Sequence, residues 1–260
     1  MQLTGRSYRS IHGVFITLCT VSALSAAPLV VETDPLSPAD QQACFQLPPG
    51  FQIELIASEP EIGQPMNLSF DAQGRLWVTH SIEYPYPVAG TGVQPRDANF
   101  QGLGEPPARD RLSVITFDGQ NRPQALVHFA HGLNIPIGVI PLPRVLGQPA
   151  AAVAFSIPHI SRYTDADGDG RADQIERLFG PLGNLDTHGM ASSFTPGLDG
   201  WIYGCHGFRN DSVLSGTDGH TIRLNSGNTY RFRADGTRIE QVTWGQVNPF
   251  GMTTDRWGNL

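Results

Sequence analysis

Residues 65–76, Pro-Met-Asn-Leu-Ser-Phe-Asp-Ala-Gln-Gly-Arg-Leu, recur at 249–260 as Pro-Phe-Gly-Met-Thr-Thr-Asp-Arg-Trp-Gly-Asn-Leu. Proline, Leu or Met, Ser or Thr, Asp, Gly and Leu keep the same offsets in both copies. Each copy reads as a short strand, an Asp-x-x-Gly turn and a second strand. The Asp carboxylate caps its own turn, and the glycine takes the positive φ that the turn requires. A looser third copy runs from Phe194 through Pro196-Gly-Leu-Asp-Gly200 to Trp201-Ile-Tyr203, and Pro136-Ile-Gly-Val139 resembles the start of a fourth. The copies stand roughly 55–70 residues apart, which suits one four-stranded blade with long loops. The expected fold is therefore all-β: a β-propeller over residues 45–260, with about three blades and a stub of a six-bladed ring. The second copy stops where the chain stops, so the sequence reads as a fragment truncated at its C-terminus. A β-sandwich that happens to use Asp-x-x-Gly turns is the alternative.

Composition agrees with an all-β reading. The chain holds 29 Gly and 21 Pro, and helical periodicity is confined to the first thirty residues. Strands are expected at 52–57, 76–79, 113–117, 151–157, 174–179, 229–233 and 240–244.

Residues 1–27 have the pattern of a secretory signal. Arg6 and Arg9 precede an apolar stretch over 13–24, and Ser25-Ala-Ala27 supplies small residues for cleavage. The apolar stretch is too short to favour a membrane span. The expectation is a secreted or periplasmic protein with a linker over 28–44 and no membrane insertion of the mature chain. Losing Arg6 and Arg9 with the leader takes the formal charge from −7 to −9. That charge disfavours nucleic acid as a partner. Every one of the 17 basic residues is Arg, which removes Schiff-base, phosphate-loop and general-base chemistry based on Lys. Cys44 and Cys205 could form a disulfide in an oxidising compartment or remain two thiols; sequence does not fix their separation.

The densest chemical motif is Asp165-Ala-Asp-Gly-Asp-Gly-Arg-Ala-Asp-Gln-Ile-Glu176. It matches the acidic calcium loop, in which alternate carboxylates converge as the chain curls and Gly170 permits the sharp turn. Asp165, Asp167, Asp169, the Arg171 carbonyl, Asp173 and Glu176 are the candidate ligands for Ca2+. The flanks read as strands rather than helices, so this is a strand–loop–strand site in which Asp173 closes the ring and Glu176 points elsewhere. Mg2+ fits less well, because it seldom takes so many protein carboxylates. A solvated acidic turn is the bland alternative.

Asp186-Thr-His188 and Tyr203-Gly-Cys-His-Gly-Phe-Arg-Asn-Asp211 mark a second candidate site. Asp186-Thr-His188, with Leu47-Pro-Pro-Gly-Phe51, Ile56-Ala-Ser-Glu-Pro60, Phe70-Asp-Ala-Gln-Gly-Arg-Leu-Trp-Val78, the acidic loop, Leu198-Asp-Gly-Trp-Ile-Tyr-Gly204 and Asn248-Pro-Phe-Gly251, carries a resemblance over residues 45–260. The chain resembles the N-terminal propeller of large secreted proteins of planctomycete-type bacteria, described as membrane-bound dehydrogenases or PVC-type haem-binding proteins. That propeller is distantly similar to the soluble quinoprotein sugar dehydrogenases.

The resemblance implies a catalytic base at His188 oriented by Asp186. It also implies pyrroloquinoline quinone (PQQ) near Asn248, Arg209 and His206, a sugar or other hydroxylated small molecule as substrate, and electron transfer to a c-type haem domain or protein. The pattern departs from the quinoproteins where Val247 replaces the Arg expected before Asn248, and where Lys is absent. The other readings are a non-catalytic module binding glycan or protein through blade loops, and a calcium-dependent lactonase-type hydrolase. Structural alternatives stand beside the individual residues. His188 and His206 could be bonded to neighbouring backbone, Arg209-Asn-Asp211 could close a turn, and Tyr84-Pro-Tyr-Pro87 could serve packing. His128-x-x-His131 reads as loop surface.

Overall fold

The computed structural model describes residues 34–88, 107–144 and 148–260. The expected leader, residues 1–27, lies outside them. The structure is 43% strand and 4% helix, all-β as expected, and it divides at Pro48 into two units. In the first unit, helix α1 (Pro38–Ala43) is capped by Ser37, whose hydroxyl accepts from the Asp40 N–H, with Pro38 pre-set for the first turn. No helix of the described residues is long and apolar enough to cross a membrane.

The second unit, Pro49–Leu260, is a succession of antiparallel meanders. The first sheet is β1 (Gln64–Phe70), β2 (Leu76–Ser81), β3 (Asp110–Phe117) and β4 (Pro123–Leu133), in that order. The second is β5 (Val139–Pro141), β6 (Ala150–Ser156), β7 (His159–Asp165) and β8 (Gln174–Phe179). The third joins β9 (Ser192–Pro196), β10 (Ile202–His206), β13 (Gly227–Phe232) and β14 (Ile239–Gln246). The hairpin of β11 (Asp211–Ser215) and β12 (Thr221–Asn225) is inserted before β13. Each four-stranded sheet begins with the strand that its repeat copy predicts, and β5 packs against both β1 and β9.

Alternation along β6 explains the stacking. Ala152 and Ala154 face the first sheet, where Trp77, Leu112, Val114 and Phe129 supply bulk. Val153 and Phe155 face the third, against Phe194, Ile202, Tyr230 and Phe232. One strand of period two thus serves two cores, small on one side and large on the other. Trp77 and Phe129 meet edge-to-face at 4.7 Å, and Phe194 and Phe232 do so at 5.3 Å.

Some expectations are corrected. Residues 52–57 form no strand; Ile56 and Ala57 instead cover the outer face of the first sheet, against Leu76, Val78 and Ile115. His128 and His131 lie in β4 rather than a loop. Repeated register shifts between β3 and β4 blur the alternation there that would have announced a strand. The second repeat copy forms its turn at Asp255–Asn259 but no paired strand. Cys44 and Cys205 are both free thiols, the first exposed and the second buried.

Candidate functional site

The chain direction sorts the candidate residues onto two ends of the sheets. β7 runs from His159 to Asp165, the acidic loop turns the chain, and β8 returns to Phe179. Leu182 then donates its N–H to the Pro158 carbonyl, beside the start of β7, before the chain reaches Asp186. Seven strand residues, about 20 Å, therefore separate the acidic loop from the His188 segment.

At the acidic end, one oxygen each from Asp165, Asp167 and Asp169 lies within 4.8 Å of the others. The loop holds this shape through its own backbone. Asp165 accepts from Gly168 and Gly170, Asp167 from Asp169, and Asp169 from Arg171. Asp173 Oδ1 accepts from the Ala166 N–H at 3.1 Å and closes the loop. Glu176 is not among these groups: it lies on β8 and pairs with Arg162 across the strand boundary. Gly168 and Gly170 take φ of +83° and +88°, where a side chain would be strained. Three convergent carboxylate oxygens make this loop a candidate site for a hard divalent cation.

At the other end, Asp186 caps a single 3-10 turn over Thr187–Gly189. Its Oδ1 accepts from the His188 N–H and from His188 Nδ1, both at 3.0 Å. The imidazole is exposed, its Nε2 has no protein partner among the described residues, and the Tyr84 ring meets it edge-on at 5.5 Å. Burial, and then the Asp186 charge, push the Tyr84 hydroxyl up from its ordinary value. Thr187 Oγ1 donates to the Pro85 carbonyl at 2.8 Å, so the Tyr84–Pro87 loop is fastened to the same turn.

Asn210 is the buried clamp of this region. Its Oδ1 accepts from the Asp186 N–H, and its Nδ2 donates to the Asp186 and Gly189 carbonyls at 2.8 Å each. Sequence offered that Arg209-Asn-Asp211 closes a turn; the bonds show Asn210 closing the turn that carries His188. Gly189 and Gly207 must be glycine for this approach. A Cβ at Gly189 would stand 2.4 Å from the Phe208 carbonyl oxygen, and one at Gly207 would stand 2.2 Å from Asn248 Oδ1.

The remaining expected residues divide. Asn248 is brought to the site, with its Oδ1 accepting from the Phe208 N–H at 2.9 Å. Arg209 is exposed at positive φ, with its guanidinium 5.7 Å from the Phe208 ring. His206 does not face the site. It is fully buried, Nδ1 donates to the Ser226 carbonyl, and Nε2 accepts from Ser212 Oγ, which itself accepts from Gly183. Burial pushes its pKa down, in keeping with a neutral ring.

These contacts decide how well PQQ fits. Of the three residues expected to hold it, Asn248 has its oxygen engaged by backbone and His206 has both nitrogens engaged. One exposed guanidinium does not match three carboxylates, so the residues present do not fit the cofactor.

No curated protein matches the chain. A family model described as a domain of unknown function, DUF7133, matches residues 37–260, and the protein belongs to that family.

Proposed function

We propose that the protein is a calcium-bound β-propeller domain whose His188 end binds a hydroxylated small molecule or glycan, with His188 as the group that accepts a hydroxyl proton. Three consecutive four-stranded meanders, with β5 packed between the first strands of its neighbours, support the propeller. One observation carries the ligand reading: Asp186 holds His188 by Nδ1 and leaves Nε2 outward beside an aromatic ring. When Nδ1–H donates to a carboxylate, the Nε2 lone pair is free to accept from a hydroxyl. Tyr84, half-buried, and Phe208, exposed, offer ring faces of the kind sugar carbons cover. A dehydrogenase reading would use the same base and pass electrons to a haem partner, with a hydride acceptor other than PQQ.

Calorimetric titration of a monosaccharide and oligosaccharide panel, with His188→Ala alongside, tests the proposal. The expected result is saturable binding that weakens at least about fivefold in the variant, the size of a lost neutral hydrogen bond. Binding of equal strength in the variant, or no binding across the panel, rejects it.

A further inference from the structure

The first sheet carries a cleft that the proposal above does not use. Its volume is about 400 Å³, within the range of small-ligand sites, and Ile62, Ile82, His80, Arg109 and Arg111 line it. It sits at the end of the sheet where β2 finishes and β3 begins.

The charges in this cleft are arranged unusually. Arg109 donates through Nε to Glu83, a fully buried carboxylate, at 2.8 Å. Both nitrogens of its fork remain beyond that bond. Arg111 is half-buried, yet no carboxylate of the described residues lies within ion-pair reach of it. Its one hydrogen-bond partner among the described residues is neutral: Nη1 donates to His128 Nε2 at 2.8 Å. Asp110 also borders the cleft, but its oxygens are turned to four donors, Ser81 Oγ and the N–H groups of Ile82, Glu83 and Ile135. Glu59 stands exposed at the rim.

A hydrogen-bond chain fixes Arg111 in place. The Gly63 N–H donates to His80 Nδ1 at 2.9 Å, so the neutral His80 ring carries its proton on Nε2 and donates to Ser113 Oγ at 2.7 Å. Ser113 Oγ lies 2.9 Å from His128 Nδ1, and His128 presents Nε2 to Arg111. Both rings must be neutral for the chain to close, and burial together with the Arg111 charge holds both pKa values down. The two histidines thus orient a guanidinium without neutralising it.

A half-buried guanidinium with one neutral acceptor leaves most of its donors without a protein partner. Planar forks of this kind match carboxylate and phosphate oxygens in pairs. We infer that this cleft binds a small molecule bearing an oxyanion, carboxylate or phosphate, whose charge sits between Arg109 and Arg111 and whose apolar part lies on Ile62 and Ile82.

The test titrates phenylacetate and phenyl phosphate in separate arms into the wild-type protein, Arg111→Met and Ile82→Glu. Arg111→Met removes the fork without uncovering a buried charge. Ile82→Glu leaves the hydrogen-bond chain intact and sets a negative charge on the apolar wall; the Ile82 side chain is exposed, so folding tolerates it. The expected result is saturable binding in at least one arm, weakened at least about tenfold in both variants while their melting temperatures stay near wild type. Which arm binds tells carboxylate from phosphate. Absence of binding in both arms, or binding that either variant retains at full strength, overturns the inference.

Discussion

His80 shows how a single buried ring can set the acid limit of the fold. It is 4% exposed, and its Nδ1 must stay unprotonated to accept from Gly63. Burial first, then the charges of His128 and Arg111, lower its pKa from 6.5 to about 4. A histidine whose folded pKa lies below its unfolded value binds fewer protons folded than unfolded between those two values. The stability it contributes is complete above pH 6.5 and drains away as pH falls toward 4. The full loss is on the order of 3 kcal/mol. Urea unfolding at pH 7.5 and pH 5, compared between wild type and His80→Gln, checks this. The gap between the two proteins should narrow at the lower pH, and parallel curves would sink the idea. Sequence offered no sign of this residue, because its partners Gly63, Ser113 and His128 come from three separate segments. His188 and Asp186 were legible because they are near neighbours and bond to each other. Asn248 was legible as a motif, but its oxygen's engagement by Phe208 depends on two loops meeting and could not be read from either.

At the scale of the element, the Asp-x-x-Gly turn was read correctly and credited with too much. The expected bonds form at Asp71, whose Oδ1 accepts from Gln73 and Arg75 while Gly74 takes φ of +76°. Asp255 repeats them with Trp257 and Asn259. The same turn also closes β3–β4 at Asp118, with Asn121 in place of glycine, and Gly216–His220 closes β11–β12 with the same backbone bonds but with Gly216 in place of Asp. It marks a hairpin, not a sheet's first hairpin. What separates Asp71 from Asp118 is packing. Asp71 Oδ2 also accepts from Trp77 Nε1 at 2.9 Å, and Trp77 is buried in the core between the first two sheets. Asp71→Ala therefore strips a turn and leaves a core indole without its acceptor, whereas Asp118→Ala strips only an exposed turn. Thermal or urea unfolding should show a loss of about 2–3 kcal/mol for the first and a distinctly smaller loss for the second. Equal losses would mean that the Trp77 bond contributes nothing to holding the sheet.

At the scale of the whole second unit, the order of the sheets was legible and their insertions were not. The repeat placed β1, β5 and β9. It could not foresee the β11–β12 hairpin, whose Ser-x-Leu and Ile-x-Leu alternation is too short to stand out between turns. The acidic loop was legible as a turn, and with strands rather than helices as flanks Glu176 faces Arg162 and not the loop. Its position gives it a larger role than its own hairpin. The Ala172 N–H donates to the Phe129 carbonyl of β4 at 2.7 Å, so the loop that joins β7 to β8 also touches the neighbouring sheet. Four carboxylates on nine residues repel one another, and a bound Ca2+ would relieve that repulsion at the seam between two sheets. Calcium should therefore raise the melting temperature of the whole unit, and a chelator should lower it. At a free concentration of 100 times the dissociation constant the gain is about 2.7 kcal/mol. Asp167→Asn and Asp169→Asn each remove one ligand charge without disturbing the core, since both side chains are exposed. Either should abolish most of the calcium response while leaving binding at His188 unchanged, because the two sites lie at opposite ends of β7. If the melting temperature ignores calcium and the asparagine variants are instead more stable than wild type, the loop is a solvated acidic turn and the apolar core around Trp77 and Phe129 holds the seam without an ion.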